Sequence, residues 1–213
     1  VQFIAMVTML LDHIGVVWFP DDSTWRVIGR LALPLYAYAL VIGYLRTRNV
    51  NLYIWRMLAI AAISQIPYSL TFRTLEINTV GTLFICLLML WALDKLKDKH
   101  ALQIAIAAAT VFLVELVPVS YGAYLPVLII IYRYLPDRWM APLHFALNLV
   151  FMFYKGWTVQ LFSILATLLL VYMPVFLSTI DRIRVPRVIW RSFYPLHLVF
   201  IAAIDYSNLL EIR

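Results

Sequence analysis

Asp12 and His13 stand side by side in "MVTMLLDHIGVVWFP", residues 6–20, with apolar residues on either side. The next apolar run, "WRVIGRLALPLYAY", carries Arg30, and the last, "WRSFYPLHLVF", carries Tyr194 and His197. A neutral imidazole can take a proton from a nucleophile, a carboxylate can orient an imidazole or neutralise a guanidinium, and an arginine or a tyrosine hydroxyl can steady an oxyanion. These are the parts of a group-transfer site built around a general base, with His13 as the base. The same residues also read as a structural clamp, in which Arg30 snorkels to an interface and Asp12 with His13 bonds one helix to another. His197 alone is as readily an interhelical hydrogen-bond partner as a catalytic group. His144 and Asn148, four residues apart, read as packing, and His100 lies in a basic stretch and reads as solvated. The four histidines lack the spacing of a metal cluster, so no metal site is expected. The single cysteine, Cys86, can form no internal disulfide.

The elements that carry these groups follow from composition. Of 213 residues, 64% are hydrophobic and 13% charged, with mean hydropathy +0.90, which lies outside the range of soluble domains. An all-α integral membrane protein is expected, a single domain over residues 1–213 whose first partner is the lipid bilayer. Open strand edges have no hydrogen-bond partners in lipid, so every span should be helical. Nine apolar stretches approach the length needed to cross about 30 Å of hydrocarbon: 1–19, 26–45, 53–72, 79–95, 101–118, 122–136, 139–154, 158–180 and 192–210. The bundle should therefore hold about nine transmembrane helices. Pro126 and Pro142 mark the sixth and seventh as short or broken, Pro34 predicts a kink in the second, and Pro67 a break in the third beside Ser64 and Gln65. No cleavable signal pattern precedes the first run, which reads as a retained span, and the start at Val1 leads us to expect a short preceding segment.

Loop charge sets the orientation. Arg46, Arg48, Arg56, Lys95, Lys97, Lys99, Arg133, Arg138, Arg182, Arg184, Arg187 and Arg191 follow the even spans, whereas Arg26, Arg73, Lys155 and Arg213 lie on the other side. This alternation predicts an N-terminus inside and a C-terminus outside. It also accounts for the net charge of +6 without a nucleic-acid partner. On this register Asp12, His13 and Arg30 lie at one depth near the outer face, with Asp12 and Arg30 paired. His197, with Pro195 in a first helical turn, should lie about 8 Å in from the inner face, some 10 Å from His13 in depth. The two histidines would then serve opposite ends of a through-membrane tunnel. Tyrosines of "YGAY", Tyr121 to Tyr124, read as interfacial belt residues, and Glu115 falls near the outer end of the fifth span.

"LLDHIG", "WRVIGRLALPLYAYALVIGYLRTRN", "ISQIPYSL", "YGAY" and "FYPLHL" occur in the order seen in the TraX-like family, and the chain resembles that family from its first residue almost to its last. The pattern departs between Lys155 and Arg191, which bears on donor or acceptor specificity. The resemblance implies a multi-pass acyltransferase of the bacterial inner membrane that moves an acetyl group from acetyl-CoA to an acceptor, for F-pilin the N-terminal amine of a pilin subunit. It carries Asp12, His13, Arg30, Tyr194 and His197 as site residues, with Arg46, Arg48 and Arg56 as the inner basic group for the CoA phosphates. Other polypeptide N-termini, amino sugars and hydroxyls also suit a histidine base. A small transporter or flippase, or a non-catalytic pilus-assembly scaffold, would use the same intramembrane charges differently, although no internal repeat of the transporter kind is visible.

Overall fold

The computed structural model describes residues 1–180 and 185–211; Arg182, Arg184 and Arg213 of the charge alternation lie outside them. Among the described residues the regular elements are all helical: α1 (Gln2–Trp18), α2 (Ser23–Gly29), α3 (Ala32–Arg46), α4 (Val50–Phe72), α5 (Thr79–Lys95), α6 (His100–Leu116), α7 (Tyr124–Tyr134), α8 (Asp137–Lys155), a 3-10 turn (Thr158–Ser163), α9 (Ile164–Tyr172), α10 (Pro174–Ile180) and α11 (Arg187–Glu211). Several starts are set by side chains that accept a free backbone N–H. Asp22 caps α2 through Thr24 N, Asn49 caps α4 through Leu52 N, and Asn78 caps α5 through Gly81 N, at 2.9, 2.9 and 3.0 Å.

The helices follow the apolar stretches, with six departures, two of them in the second half of the chain: the seventh stretch is neither short nor broken, since the 19-residue α8 runs through Pro142, and the eighth, expected as one span, is divided into the 3-10 turn, α9 and α10, the last opening at Pro174. The second stretch is broken between α2 and α3, because Pro34 has no N–H to offer the carbonyl four residues back, and that residue is Arg30. The third is not broken at Pro67: α4 runs on to Phe72, and the Gln65 amide is spent bridging Asn78 and the Glu76 carbonyl. The sixth is the 11-residue α7, about 16 Å long and too short to cross a bilayer, with Leu125, Leu128 and Ile129 wholly buried. The last begins five residues earlier than expected, so Pro195 lies inside α11 and not in its first turn.

Apolar side chains fill the core and also cover much of the outside. Trp55, Ile63, Ile66 and Leu70 of α4, Ile104, Phe112 and Leu116 of α6, and Leu196 and Phe200 of α11 are each more than 60% exposed. Such continuous apolar surface is what lipid covers. Two stretches, Ser23–Arg46 and Arg187–Ser207, are both long and apolar enough to span a membrane. The chain is a membrane protein. Trp190 packs against the cluster containing Ala5, and His197 lies against His13, so the first and last helices run in the same direction.

A polar network lies in the core between α7, α8 and α9. One proton assignment satisfies it: Tyr132 O–H donates to Thr167 and Thr167 O–H to His144 Nδ1, both at 2.5 Å, while His144 Nε2–H donates to Tyr124 and Tyr124 O–H to Asn148 Oδ1, both at 2.7 Å. His144 is fully buried and neutral in this arrangement, a packing role in keeping with its spacing to Asn148. His144→Leu leaves two buried hydroxyls short of a partner and should cost about 2–4 kcal/mol. The thermal midpoint of the purified variant is the measurement; an unchanged midpoint would mean the network carries no stability.

Candidate functional site

Helix α1 meets α2 at two glycines. A Cβ on Gly15 would lie 2.3 Å from Trp25 Cβ, and one on Gly29 only 2.2 Å from Asp12 Cβ. Of the stripe of Thr8, Asp12 and Gly15, the last two thus form the tight helix contact, and Asp12 is also a cavity wall. That contact brings Arg30 Nη2 to 2.9 Å from both Asp12 carboxylate oxygens. Arg26, one turn earlier on the same face, has Nη1 at 3.5 Å from Asp12 Oδ1. Arg30 continues to Gln160 of the 3-10 turn through Nη1···Oε1 at 3.3 Å and stands 5.9 Å over the Tyr121 ring. Gly29→Ala should therefore force α1 and α2 apart and part Asp12 from Arg30. An overpacking cost of about 1–3 kcal/mol is expected, read as a lower thermal midpoint; an unshifted midpoint would show that the contact can relax.

The two histidines meet. His13 Nδ1 lies 2.7 Å from His197 Nε2, the rings stacked with centroids 4.9 Å apart. The expected separation in depth is overturned because α11 starts at Arg187, which sets His197 ten residues, about 15 Å, along its helix, and His13 lies eleven residues along α1 from Gln2. The tautomers follow from the chain of contacts. His197 Nδ1 is 2.6 Å from the Phe193 carbonyl, which can only accept, so Nδ1 carries the proton. In the neutral pair His197 Nε2 then accepts from His13 Nδ1–H, which leaves the lone pair on His13 Nε2. Asp12 takes no part in this, being held by two arginines. Tyr194 completes the group: its ring is 6.4 Å from that of His13 and 5.7 Å from that of His197, and its buried hydroxyl has no partner.

A cavity of about 430 Å³ opens on these groups, lined by Asp12, His13, Arg26, Arg30, Tyr68 and Tyr121 among others. A side chamber of about 370 Å³ shares Arg26, Arg30 and Tyr121 and reaches Gln160. Beneath His13 a gap of about 40 Å³ passes Met9, Leu33, Tyr36, Leu83 and Tyr194, with room for a few waters. Tyr121 borders all three spaces, in a left-handed conformation (φ 68°) that is uncommon for a bulky side chain. Its loop is fixed from both sides. Ile77 N donates to Pro118 O and Ser120 N to Ile77 O at 2.8 and 3.0 Å, while Glu115, paired with Lys155 at 2.6 Å, accepts Ala123 N at 2.9 Å.

Arg46, Arg48 and Arg56 are not part of this constellation. Arg48 lines a separate cavity of about 450 Å³ with Tyr44, Asn49, Trp91, Asp94 and Lys95; Arg46 ends α3, and Arg56 lies on the exposed face of α4. The unbroken α4 separates the two regions, since Val50 borders the Arg48 cavity and Phe72 the histidine cavity, 22 residues or about 33 Å apart along the helix. Arg26, Gln160 and Tyr121 were not singled out as site residues in the sequence. Arg26 counts there as loop charge, Gln160 follows a span boundary and Tyr121 resembles a belt tyrosine; the spacing of Arg26 and Arg30 is the signal that was available.

The family model described as TraX protein matches residues 1–205. The chain belongs to the TraX family. All five grouped residues, Asp12, His13, Arg30, Tyr194 and His197, fall within the TraX match. The chain is also similar to the probable fimbrial assembly protein FimC, serogroup H1, of Dichelobacter nodosus, at 27% identity over 91% of this chain and 82% of that protein. No solved structure matches it.

Proposed function

We propose that this TraX-family chain is a membrane-embedded acetyltransferase that moves the acetyl group of acetyl-CoA to an acceptor amine, the N-terminus of a pilin or another polypeptide, in preference to a hydroxyl. The observation that carries the reading is the His13–His197 pair, with its free Nε2 on a cavity large enough for an acceptor. The α-amine, with an ordinary pKa of about 7.7–8.0, must shed a proton to attack. In the transfer, the ammonium form first releases one proton to water; the neutral amine nitrogen then bonds to the thioester carbonyl carbon, and a second N–H proton passes to His13 Nε2. The C–S bond then breaks and the thiolate takes that proton, giving amide and free thiol. His197 shares the transient imidazolium charge by accepting from His13 Nδ1–H, and the buried Tyr194 hydroxyl, on a ring 6.4 Å from that of His13, is the donor we assign to the oxyanion.

The gap beneath His13 is too small for a thioester, so donor binding must widen it. Arg48 and Lys95 beside their inner cavity, with Arg46 and Arg56 near it, are the groups we assign to the donor's phosphates. The orientation we propose, N-terminus inside and C-terminus outside the bacterial inner membrane, is supported by the alternation of basic loops and by the common direction of α1 and α11, which requires an odd number of crossings. Reporter fusions after Arg48 and after Arg213 are expected in opposite compartments; the same compartment for both would rule out nine spans.

Purified protein incubated with labelled acetyl-CoA and a membrane extract should move label to a polypeptide amine. Tight binding of acetyl-CoA with no transfer to any acceptor would refute the enzyme reading in favour of a transporter or scaffold.

A further inference from the structure

The side chamber contains more hydrogen-bond donors than the protein satisfies. Arg30 Nε is buried without a partner, and so is Gln160 Nε2, whose own Oε1 is held by Arg30 Nη1 so that its NH₂ group is turned away from the guanidinium. Gln160 is 3% exposed, and both residues line the chamber. Buried donors left unpaired in this way are uncommon and are ordinarily met by a ligand or water. The charges agree. Asp12 is shared between Arg26 and Arg30, so one carboxylate answers two guanidiniums, and the chamber lining itself includes no acidic residue: beyond the arginines it consists of Tyr121, Gly156, Trp157, Thr158, Val159 and Gln160. Asp12 borders the histidine cavity instead. The open side is unobstructed, since nothing lies within 4 Å of a Cβ built on Gly156.

We infer that the chamber bounded by Arg26, Arg30 and Gln160 is an anion subsite that holds a carboxylate or phosphoryl group of the acceptor while the acceptor's amine faces His13. Resting on the acetyltransferase reading above, it narrows the substrate class to amines that carry a nearby anionic group. The subsite lies with the acceptor and not the donor because the chamber adjoins the histidine cavity through Arg26, Arg30, Tyr121 and Trp157. The basic groups assigned to the donor stand at the other end of α4. A planar guanidinium with a free Nε edge and an adjacent amide suits a carboxylate or a phosphoryl oxygen pair.

Two measurements test this independently. In the first, thermal midpoints of the purified protein are recorded in sodium phosphate, sodium acetate and sodium chloride at matched ionic strength. Phosphate, acetate or both should raise the midpoint above chloride by about 2–4 °C near saturation, as a ligand of the folded state must. Arg26→Gln and Gln160→Leu should each reduce that rise by half or more. A rise with both anions indicates a carboxylate-sized site and a rise with phosphate alone a phosphoryl site; no rise over chloride in the wild-type protein overturns the subsite whether or not any variant folds. In the second, acceptor peptides with Asp or Asn next to the N-terminal residue are compared. The ratio of kcat/KM should favour Asp by about tenfold, the scale of one charge-assisted contact, and fall towards one in Arg26→Gln. A wild-type ratio of one overturns the acceptor assignment. Absence of transfer to either peptide speaks against the transferase reading, and the anion measurement then stands alone.

Discussion

His13→Ala is expected to lose about 10²–10⁴-fold in acetyl transfer, the scale of a lost general base, while remaining folded and inserted. The position tolerates truncation because the change removes a polar group from an apolar helix, and what it abandons, His197 Nε2, is an acceptor that water from the adjoining cavity can satisfy. His197→Ala should do less. It leaves the base in place and removes only the contact that holds the proton on His13 Nδ1, so a loss of about tenfold is expected because part of His13 then carries its proton on Nε2 and cannot act as base there. His197→Gln, which can still accept from His13, should recover part of the rate. The opposite order, with His197→Ala the more damaging at equal folding, would make His197 the base. Near-normal turnover by the folded fraction of His13→Ala would make both histidines a clamp between α1 and α11.

The ionisable residues in the apolar runs were legible from sequence because lipid makes them expensive: Asp12, Arg30, His13, His197 and Tyr194 stand out against their surroundings, and the structure links them, Asp12, His13 and Arg30 lining one cavity, His197 bonded to His13, and Tyr194 bordering the gap beneath it. The Asp12–Arg30 pair followed from equal depth on consecutive helices. The contact of His13 with His197 did not, because it depends on the first residue of α11, and a basic, Pro-containing approach such as "RVPRVIW" gives hydropathy no sharp edge. Arg26, Tyr121 and Gln160 were hidden for a different reason. They sit at helix ends and in loops, where Arg and Tyr are expected anyway, and their role comes from the break at Arg30 and the tethering of the Tyr121 loop to Ile77. Breaks were legible only where a proline lacks compensation: Pro34 opens the helix at Arg30, whereas Pro67 leaves α4 continuous.

Arg30→Lys should be nearly as damaging as loss of the base. Arg30 makes three separate engagements, with both oxygens of Asp12, with Gln160 and with the face of Tyr121, and a lysine ammonium can keep the first but not all three. A fall of about 10²-fold in kcat/KM is expected, from misplacement of the groups around the cavity. Its stability should fall less than that of Arg30→Met, which leaves Asp12 buried with only Arg26 at 3.5 Å and should approach the low end of the about 3–5 kcal/mol cost of breaking a buried pair. Removing the other partner as well separates the two roles. Asp12→Asn combined with Arg30→Met takes away both charges and should regain much of the stability lost by Arg30→Met alone, because no unpaired carboxylate remains. If the pair served only to dock α1 on α2, transfer would return with stability. The expectation is that it does not, because the guanidinium that turns Gln160 and faces the acceptor is still missing; a stable, active double variant would reduce Asp12 and Arg30 to a helix clamp.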